Sequence, residues 1–283
     1  MTGPPPTPPA GGRGVRTALA EAAQRLAGIT DTPRLDAELL MAHALGVTRN
    51  ELLLRHLDDP VPAAFEALVQ RRLAHEPVAY ITGTRAFWTI ELQVGPGALI
   101  PRPDSETLIE AAIEHFDERA PARILDLGTG PGTLLLAALD QWPQARGLGI
   151  DASEQALGYA RANAERLGMS HRAEFRLGDW TRGVEGPFDL ILANPPYIGT
   201  GEPLPAEVRD HEPASALFAG PDGLDDYRRI IPALPDLLAP GGAAVLEIGW
   251  TQAKSVSALG LQHGLLPAVH SDLGGRPRVV LLT

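Results

Sequence analysis

Between Val15 and Ala74, apolar residues recur every three or four positions, and the whole stretch reads as helix. "RTALAEAAQRLAG" (16–28) keeps its leucines and alanines at helical spacing and ends on Gly28. "DTPRLDAELLMAHALG" (31–46) offers Thr32 as N-cap, Pro33 at the first helical position and Gly46 just past the end. With "PAAFEALVQRRLAH" (62–75), residues 15–75 are expected to form a small helical domain of four or five helices. The period changes over 76–103. There "AYITG", "FWTIELQV" and "GALI" read as short strands between glycine turns, a β-hairpin linker. "DSETLIEAAIEHFDE" (104–118) then opens a helix, with acidic residues in the first turn where the helix dipole favours them.

From Ala122 the pattern alternates. "ARILDL", "RGLGI", "AEFRL", "FDLILA", "AAVLEIG", "LPAVHS" and "RVVLLT" are seven β-type runs, most of them separated by helical stretches such as "SEQALGYARANAERLG" and "DDYRRIIPALPDLLA". Alternating strands and helices predict an α/β domain over 104–283, a mostly parallel sheet with helices on both faces. The last two runs are joined by "DLGGRP" with no helix between them, which predicts an antiparallel finish.

Composition narrows the function classes. The net charge of −11, with Lys254 the only lysine, disfavours autonomous nucleic-acid binding. The absence of cysteine removes disulfides, thiolate zinc sites and cysteine nucleophiles. No histidine stands in a metal-ligand pattern, and no apolar run approaches a membrane span. Residues 1–14, rich in proline and glycine, read as a disordered tail without the order of a signal peptide, so a cytoplasmic protein is expected.

The first chemical signal is "ILDLGTGPGT". Gly128, Gly130 and Gly132 follow an apolar run and precede "LLLAAL", so a ligand can approach the backbone closely. A dinucleotide loop, G-x-G-x-x-G, wants glycine where Thr133 stands, and Asp126 is a poor neighbour for a pyrophosphate. Asp151 follows the next strand, at the distance from which an acid binds both hydroxyls of a ribose. Asp179 and Trp180 follow the third strand and suit an adenine, the acid at its amino edge and the indole over its face. A nucleoside without phosphates, attached to something compact and charged, describes S-adenosylmethionine. The seven strands with their antiparallel finish resemble the Rossmann-like class I methyltransferase fold, and the glycine loop resembles that fold's first motif.

"ILANPPYIG" (191–199) ends the fourth strand with Asn194, Pro195, Pro196 and Tyr197. Ligands of parallel sheets gather beyond the carboxyl ends of the strands, so Asn194 belongs beside the cofactor. Each proline fixes its own φ and biases the residue before it toward extended backbone. The Asn194 side chain and the Pro195 carbonyl then become two fixed acceptors, suited to a planar NH₂ group with two donors. Tyr197 is expected to stack on that group and exclude water. Adenine N6, guanine N2 and a glutamine amide all offer such a nitrogen.

A wider set of motifs occurs in order: "EPVAYITG" (76–83), "FW" (87–88), "IPRPDSE" (100–106), "DLGTGPG" (126–132), "NPPYI" (194–198), "EVRDHEP" (207–213) and "FAGPDGLDDYR" (218–228). Together they resemble the bacterial peptide chain release factor N5-glutamine methyltransferase family. The resemblance implies methylation of the glutamine in the Gly-Gly-Gln loop of class 1 release factors, with S-adenosylmethionine as cofactor. It implies that Asp126, Gly128, Thr129, Gly130, Pro131, Gly132, Asp151, Asp179, Trp180 and Asn194 bind the cofactor, and that Asn194 to Tyr197 hold the glutamine. Pro131 stands where the family has a small polar residue, and Ser105 replaces the usual threonine while keeping the hydroxyl. The alternatives are a ribosomal-protein glutamine methyltransferase, an N6-adenine methyltransferase of nucleic acid, and a non-catalytic cofactor-binding module. The helical domain is expected to be a substrate-docking arm. The stretch 199–223 reads either as a lid or partner-facing loop, or as a long surface insertion.

Overall fold

The computed structural model describes residues 14–283, so the expected tail lies outside the described residues except for Gly14. The chain divides into two compact units, one ending at Gly83 and one running Thr84–Thr283.

Helices α1 (Val15–Leu26), α2 (Pro33–Leu45), α3 (Arg49–Arg55), α4 (Phe65–Leu73) and α5 (Val78–Thr82) build the first unit. Val15, Ala18, Leu19, Ala22 and Leu26 form one buried stripe along α1. That stripe packs with Leu40, Met41, Leu52, Phe65, Val69 and Ile81 as the unit's core. Gly46 ends α2 with φ +69, as expected. Thr32 does stand at the N-cap of α2, but its hydroxyl donates to Asp36 Oδ1 at 3.0 Å and caps no backbone N–H. The expected strand "AYITG" is instead the short helix α5. Tyr80 and Ile81 N–H groups donate back to the Pro77 carbonyl, and Gly83 stops the turn at φ +77. Burying Ile81 in the helical core overrides the β preference of its branched side chain.

The second unit begins with the hairpin β1 (Thr84–Phe87) and β2 (Ile90–Gln93), a sheet of its own; "GALI" forms no strand. Helix α6 (Glu106–Phe116) follows, and then the alternation unfolds. Its elements are β3 (Arg123–Leu127), α7 (Thr133–Gln141), β4 (Arg146–Asp151), α8 (Glu154–Arg166), β5 (Ala173–Leu177) and β6 (Phe188–Ala193). Next come α9 (Ala206–His211), α10 (Asp225–Ile230), α11 (Leu234–Leu237), β7 (Leu238–Glu247), α12 (Ala253–Gln262), β8 (Pro267–Ser271) and β9 (Pro277–Leu282). All seven expected strands are present in one sheet of order β5-β4-β3-β6-β7-β9-β8. β9 runs antiparallel to both neighbours, and the other pairings are parallel.

Both faces of the central strands are buried. Leu125 and Leu127 of β3 join a core with Tyr227, Ile230, Leu234 and Val256, while Ile124 and Asp126 point to the opposite, equally buried face. Two segments depart from the reading of the pattern. The single helix expected over 225–239 is broken by Pro232 and Pro235 into α10, a 3₁₀ turn at Ile231–Ala233, and α11. β7 starts at Leu238, five residues before "AAVLEIG". A bulge over Leu238–Ala243 faces only Phe188–Leu190 of β6. Gly242 permits it, because a Cβ there would stand 2.7 Å from the Asp189 carbonyl. No helix among the described residues is long and apolar enough to cross a membrane.

A buried side chain on α8 ties the hairpin to the glycine loop. Asn163 on α8 is fully buried; its Nδ2 donates to the Gln93 and Pro131 carbonyls at 3.0 and 2.9 Å, and its Oδ1 accepts from Gln93 N–H at 2.6 Å. Asn163→Ala strands these groups, and urea unfolding is expected to show a loss of about 2–4 kcal/mol.

Candidate functional site

Strand order reverses between β3 and β6: from β3 the chain steps outward to β4 and β5, then returns to β6 on the other side. Such a switch point leaves a crevice beyond the carboxyl ends. Leu127 pairs with Ala193, so Gly128 and Asn194 leave the sheet side by side. Asp151 closes β4, and Gly178, Asp179 and Trp180 follow β5.

Two adjoining cavities occupy this crevice. The larger, about 540 Å³, is lined among others by Gly128, Gly130, Asp151, Trp180, Asn194 and Pro196. A recess of about 40 Å³, lined by Arg102, Ser105, Asp126, Thr129, Pro131 and Asn194 among others, shares Gly128 and Gly130 with it.

The glycine loop is held by its own backbone. Gly128 and Thr129 N–H groups both donate to the Ile150 carbonyl, at 2.8 and 2.9 Å, and Gly130 N–H donates to Asp151 Oδ2 at 2.8 Å. Gly128 adopts φ +72, and a Cβ there would stand 2.9 Å from the Trp180 ring. Gly132 does not line either cavity. It caps α7 at φ +86, where a Cβ would meet the Leu136 side chain at 2.8 Å. The Pro131 carbonyl is engaged by Asn163, which anchors the loop at the position where a backbone donor is missing.

The acids differ in their surroundings. Asp126 is buried; Oδ2 accepts from the Thr129 hydroxyl at 2.6 Å and from Leu135 N–H at 3.2 Å. Its Oδ1 is buried with no hydrogen-bond partner. Burial pushes the Asp126 carboxyl up to about 7 against the opposing pull of those two hydrogen bonds. Burial also raises Asp151, whose Oδ1 accepts from Ser153 N–H at 2.8 Å. Asp179 lines the cavity, but its carboxylate is gripped by Arg229 at 2.5 and 2.6 Å. Trp180 is held at φ +50, and its indole N–H donates to Asp226 Oδ1 at 2.9 Å, which fixes the ring against the cavity.

Of the Asn-Pro-Pro-Tyr run, Asn194 lines both cavities and Pro196 the larger one. Pro195 is buried and, like Tyr197, is not among the lining residues. Rather than lining the cavity, Tyr197 directs its hydroxyl to Glu247 Oε1 at 3.4 Å and packs on the apolar core. Burial, with the Glu247 charge next, raises its phenol above the ordinary value.

The residues that sequence reasoning did not single out are Glu247, Glu212 and Asn163. Glu247 is buried at the end of β7, an acid inside an otherwise apolar run, which is the signal that was available. Glu212, also buried, accepts from Ile100 N–H at 3.1 Å and pairs with Arg102, so it clamps the 199–223 segment onto the 100–102 loop. Pro213, Ser215 and Ala216 from that segment line the larger cavity. Among the described residues no acid or histidine cluster could hold a metal ion.

Asp126 makes the stability of the free protein depend on pH. Its carboxyl, raised from 3.8 to about 7, holds a proton in the folded chain that the unfolded chain has already lost. Stability therefore falls as pH rises between those values and stays lower above them. Asp126→Asn is expected to flatten the decline in melting temperature between about pH 4 and pH 7. An unchanged slope would assign the decline elsewhere.

Comparison with known proteins agrees with this geometry. Residues 17–83 match the PrmC N-terminal domain, and residues 119–254 match a methyltransferase domain. The chain is 44% identical over 262 residues to the release factor glutamine methyltransferase of Caulobacter vibrioides, covering 90% of each. It is 41% identical over 276 residues to that of Moorella thermoacetica, covering 94% of this chain and 97% of the relative. A solved methyltransferase from Pyrococcus furiosus, 20% identical, shares the fold with a TM-score of 0.52 over 75% of this chain and 95% of its own. A seven-stranded sheet with its crevice at the switch point, joined to a helical N-terminal unit and related to these enzymes over nearly its whole length, makes the chain a member of the release factor glutamine methyltransferase family.

Proposed function

We propose that the protein transfers a methyl group from S-adenosylmethionine to the side-chain amide nitrogen, N5, of the glutamine in the Gly-Gly-Gln loop of class 1 peptide chain release factors. What carries the reading is the convergence of Asp126, the glycine loop, Asp151, Trp180 and Asn194 on one crevice in a chain of this family.

The residues present fit the cofactor. A cavity of about 540 Å³ is the size of a small-ligand site. The partnerless Asp126 Oδ1 suits a cationic group, Asp151 suits the ribose hydroxyls, and Trp180 suits a flat base. When bound, the cofactor supplies a methyl on a positively charged sulfur, an electrophile that needs no metal or acid to activate it.

The chain's own task is to hold the amide. Asn194 Oδ1 accepts from one hydrogen of the glutamine NH₂ group, and the Pro195 carbonyl, one residue on and off the cavity lining in the free protein, is the acceptor for the other once the substrate is seated. That raises electron density on a nitrogen whose lone pair is otherwise delocalised into the carbonyl. Methyl transfer to that nitrogen would form the N–C bond as the cofactor's S–C bond breaks, and the excess proton on the nitrogen would pass to solvent. Catalysis is positioning and electrostatics. Tyr197 is not a general base here: burial raises its phenol above the ordinary value, and its hydroxyl is turned to Glu247.

The partner is a protein and the place of action the cytoplasm; a net charge of −11 supports a protein substrate over a nucleic acid. The helical unit serves as a docking arm for that protein, and the 199–223 segment as a lid over the cavity. Removing residues 1–83 from a chain that still binds cofactor is expected to lower kcat/KM on intact release factor more than it lowers cofactor affinity. Equal losses count against the arm.

The central test is mass spectrometry of the release-factor peptide spanning Gly-Gly-Gln after incubation with the protein and S-adenosylmethionine. One added methyl on the glutamine is expected, with Asn194→Ala lowering kcat about 10²–10³-fold. A methyl on a ribosomal protein instead would move the substrate, and none on either would overturn the reading.

A further inference from the structure

Behind Asn194 lies a buried polar chain that the reaction as described does not use. Asn194 Nδ2 donates to Ser105 Oγ at 3.3 Å, and Ser105 Oγ donates to Glu247 Oε2 at 2.5 Å. The other carboxylate oxygen of Glu247, Oε1, accepts from the Tyr197 hydroxyl at 3.4 Å. Glu247 therefore touches both ends of the Asn-Pro-Pro-Tyr run, directly at Tyr197 and through Ser105 at Asn194. Ser105 and Glu247 are 3% and 1% exposed, so water does not compete for these bonds.

The direction of the chain matters. A serine hydroxyl has one proton, and an ionised carboxylate can only accept. With that proton given to Glu247, Ser105 can only accept from Asn194. The carboxamide must then turn its NH₂ inward and leave Oδ1 toward the cavities that Asn194 lines. No donor among the described residues reaches Oδ1. A flipped carboxamide would present N–H groups to a substrate NH₂, donor against donor, and lose the acceptor.

We propose that Glu247 and Ser105 are positioning residues that lock the carboxamide of Asn194 in its acceptor-out orientation, which rests on the reading that Asn194 accepts from the substrate amide. Glu247 lines neither cavity and reaches Asn194 only through Ser105; Ser105 lines the smaller recess, and its role in this lock is exerted through Asn194. Protonating Glu247 reverses the polarity: the acid donates to Ser105, and the serine proton is free to reach Asn194 Oδ1, so the flipped amide is tolerated.

Several groups face the Glu247 carboxylate. Ser105 and Asp104 come from the turn before α6, Tyr197 from the end of β6, and Arg278 from β9. The Tyr227 hydroxyl of α10 takes the Glu247 backbone carbonyl at 2.6 Å and leaves the carboxylate alone. Arg278 and the two hydroxyls favour the charge, while burial and Asp104 oppose it, and burial dominates, raising the carboxyl to about 7. The acceptor-out state is thus favoured as pH rises through that range.

The experiment compares Ser105→Ala, Ser105→Thr, Glu247→Gln and the unaltered full-length chain, methylating a Gly-Gly-Gln protein across about pH 6–9, with cofactor affinity by titration alongside. Ser105→Ala is expected to lower kcat about 10–100-fold, the scale of one misaligned electrostatic partner, with cofactor Kd within about twofold. Ser105→Thr restores the hydroxyl and is expected to recover kcat to within about threefold. The unaltered chain shows an acid limb near pH 7, which Glu247→Gln abolishes at a lower plateau. If Ser105→Ala keeps kcat, or Ser105→Thr is no better than Ser105→Ala, the inference is overturned. A limb that survives in Glu247→Gln overturns the role of Glu247. If Glu247→Gln does not fold, the two serine variants decide. An unaltered chain without activity on Gly-Gly-Gln rejects the function itself, a result that active wild type with indifferent variants cannot mimic.

Discussion

The pairing of β3 with β6 is the constraint on which the site depends. In a parallel ladder the register is set by backbone bonds, and here Asp126 lies opposite Leu192 and Leu127 opposite Ala193. Both strands end at the same level, so the glycine loop and Asn194 emerge together, with no side chain needed to bring them there. A one-residue slip would turn Leu125 and Leu127 out of their core and carry Asn194 away from Gly128. Apolar burial on both faces of the sheet opposes that slip. Stability and the placement of chemistry thus come from the same contacts.

On this frame three carboxylates at or near strand ends, Asp126, Asp151 and Glu247, are each raised chiefly by burial. The first two belong to the crevice, and leaving them unneutralised in the free protein is costly. A cationic ligand offsets part of that cost, so the strain in the free site and affinity for a positively charged cofactor are two views of one arrangement. The glycine loop adds no compensating cation. Its only side chains are Thr129 and Pro131, and the Thr129 hydroxyl is committed to Asp126.

Much of this was legible in the sequence, for a local reason. Short apolar runs alternating with helical stretches specify strands without knowledge of their partners, and all seven lie in the sheet. Gly128, Asp151, Trp180 and Asn194 were legible because each stands at or just beyond the carboxyl end of a strand, where a parallel sheet collects its ligands. Misreadings came where tertiary packing decided. Val78–Thr82 carries β-branched residues yet coils into a helix to bury Ile81, and the bulge at the start of β7 hides in "LAPGG", which reads as a loop. The partners of the site were the least legible. Ser105 and Glu247 are 142 residues apart, Ile100 and Glu212 are 112 apart, and no periodicity links them. Tyr197 illustrates the difference: its position follows from the motif, but its orientation follows from an acid on another strand.

The double proline now has a specific meaning. Fixing φ at two successive residues and restricting the residue before each removes most of the backbone freedom of the run. The Pro195 carbonyl is thereby held without a side chain to hold it. What the prolines cannot restrict is the last torsion of Asn194, a broad two-fold rotor whose two ends are alike in shape and opposite in hydrogen bonding. Backbone stiffness alone would leave an acceptor in one half of the molecules and a donor in the other. Only a directional hydrogen bond distinguishes the two, and Ser105, polarised by Glu247, is the group placed to make it. The buried acid is costly to the fold, but its charge converts a rigid loop into one with a defined polarity.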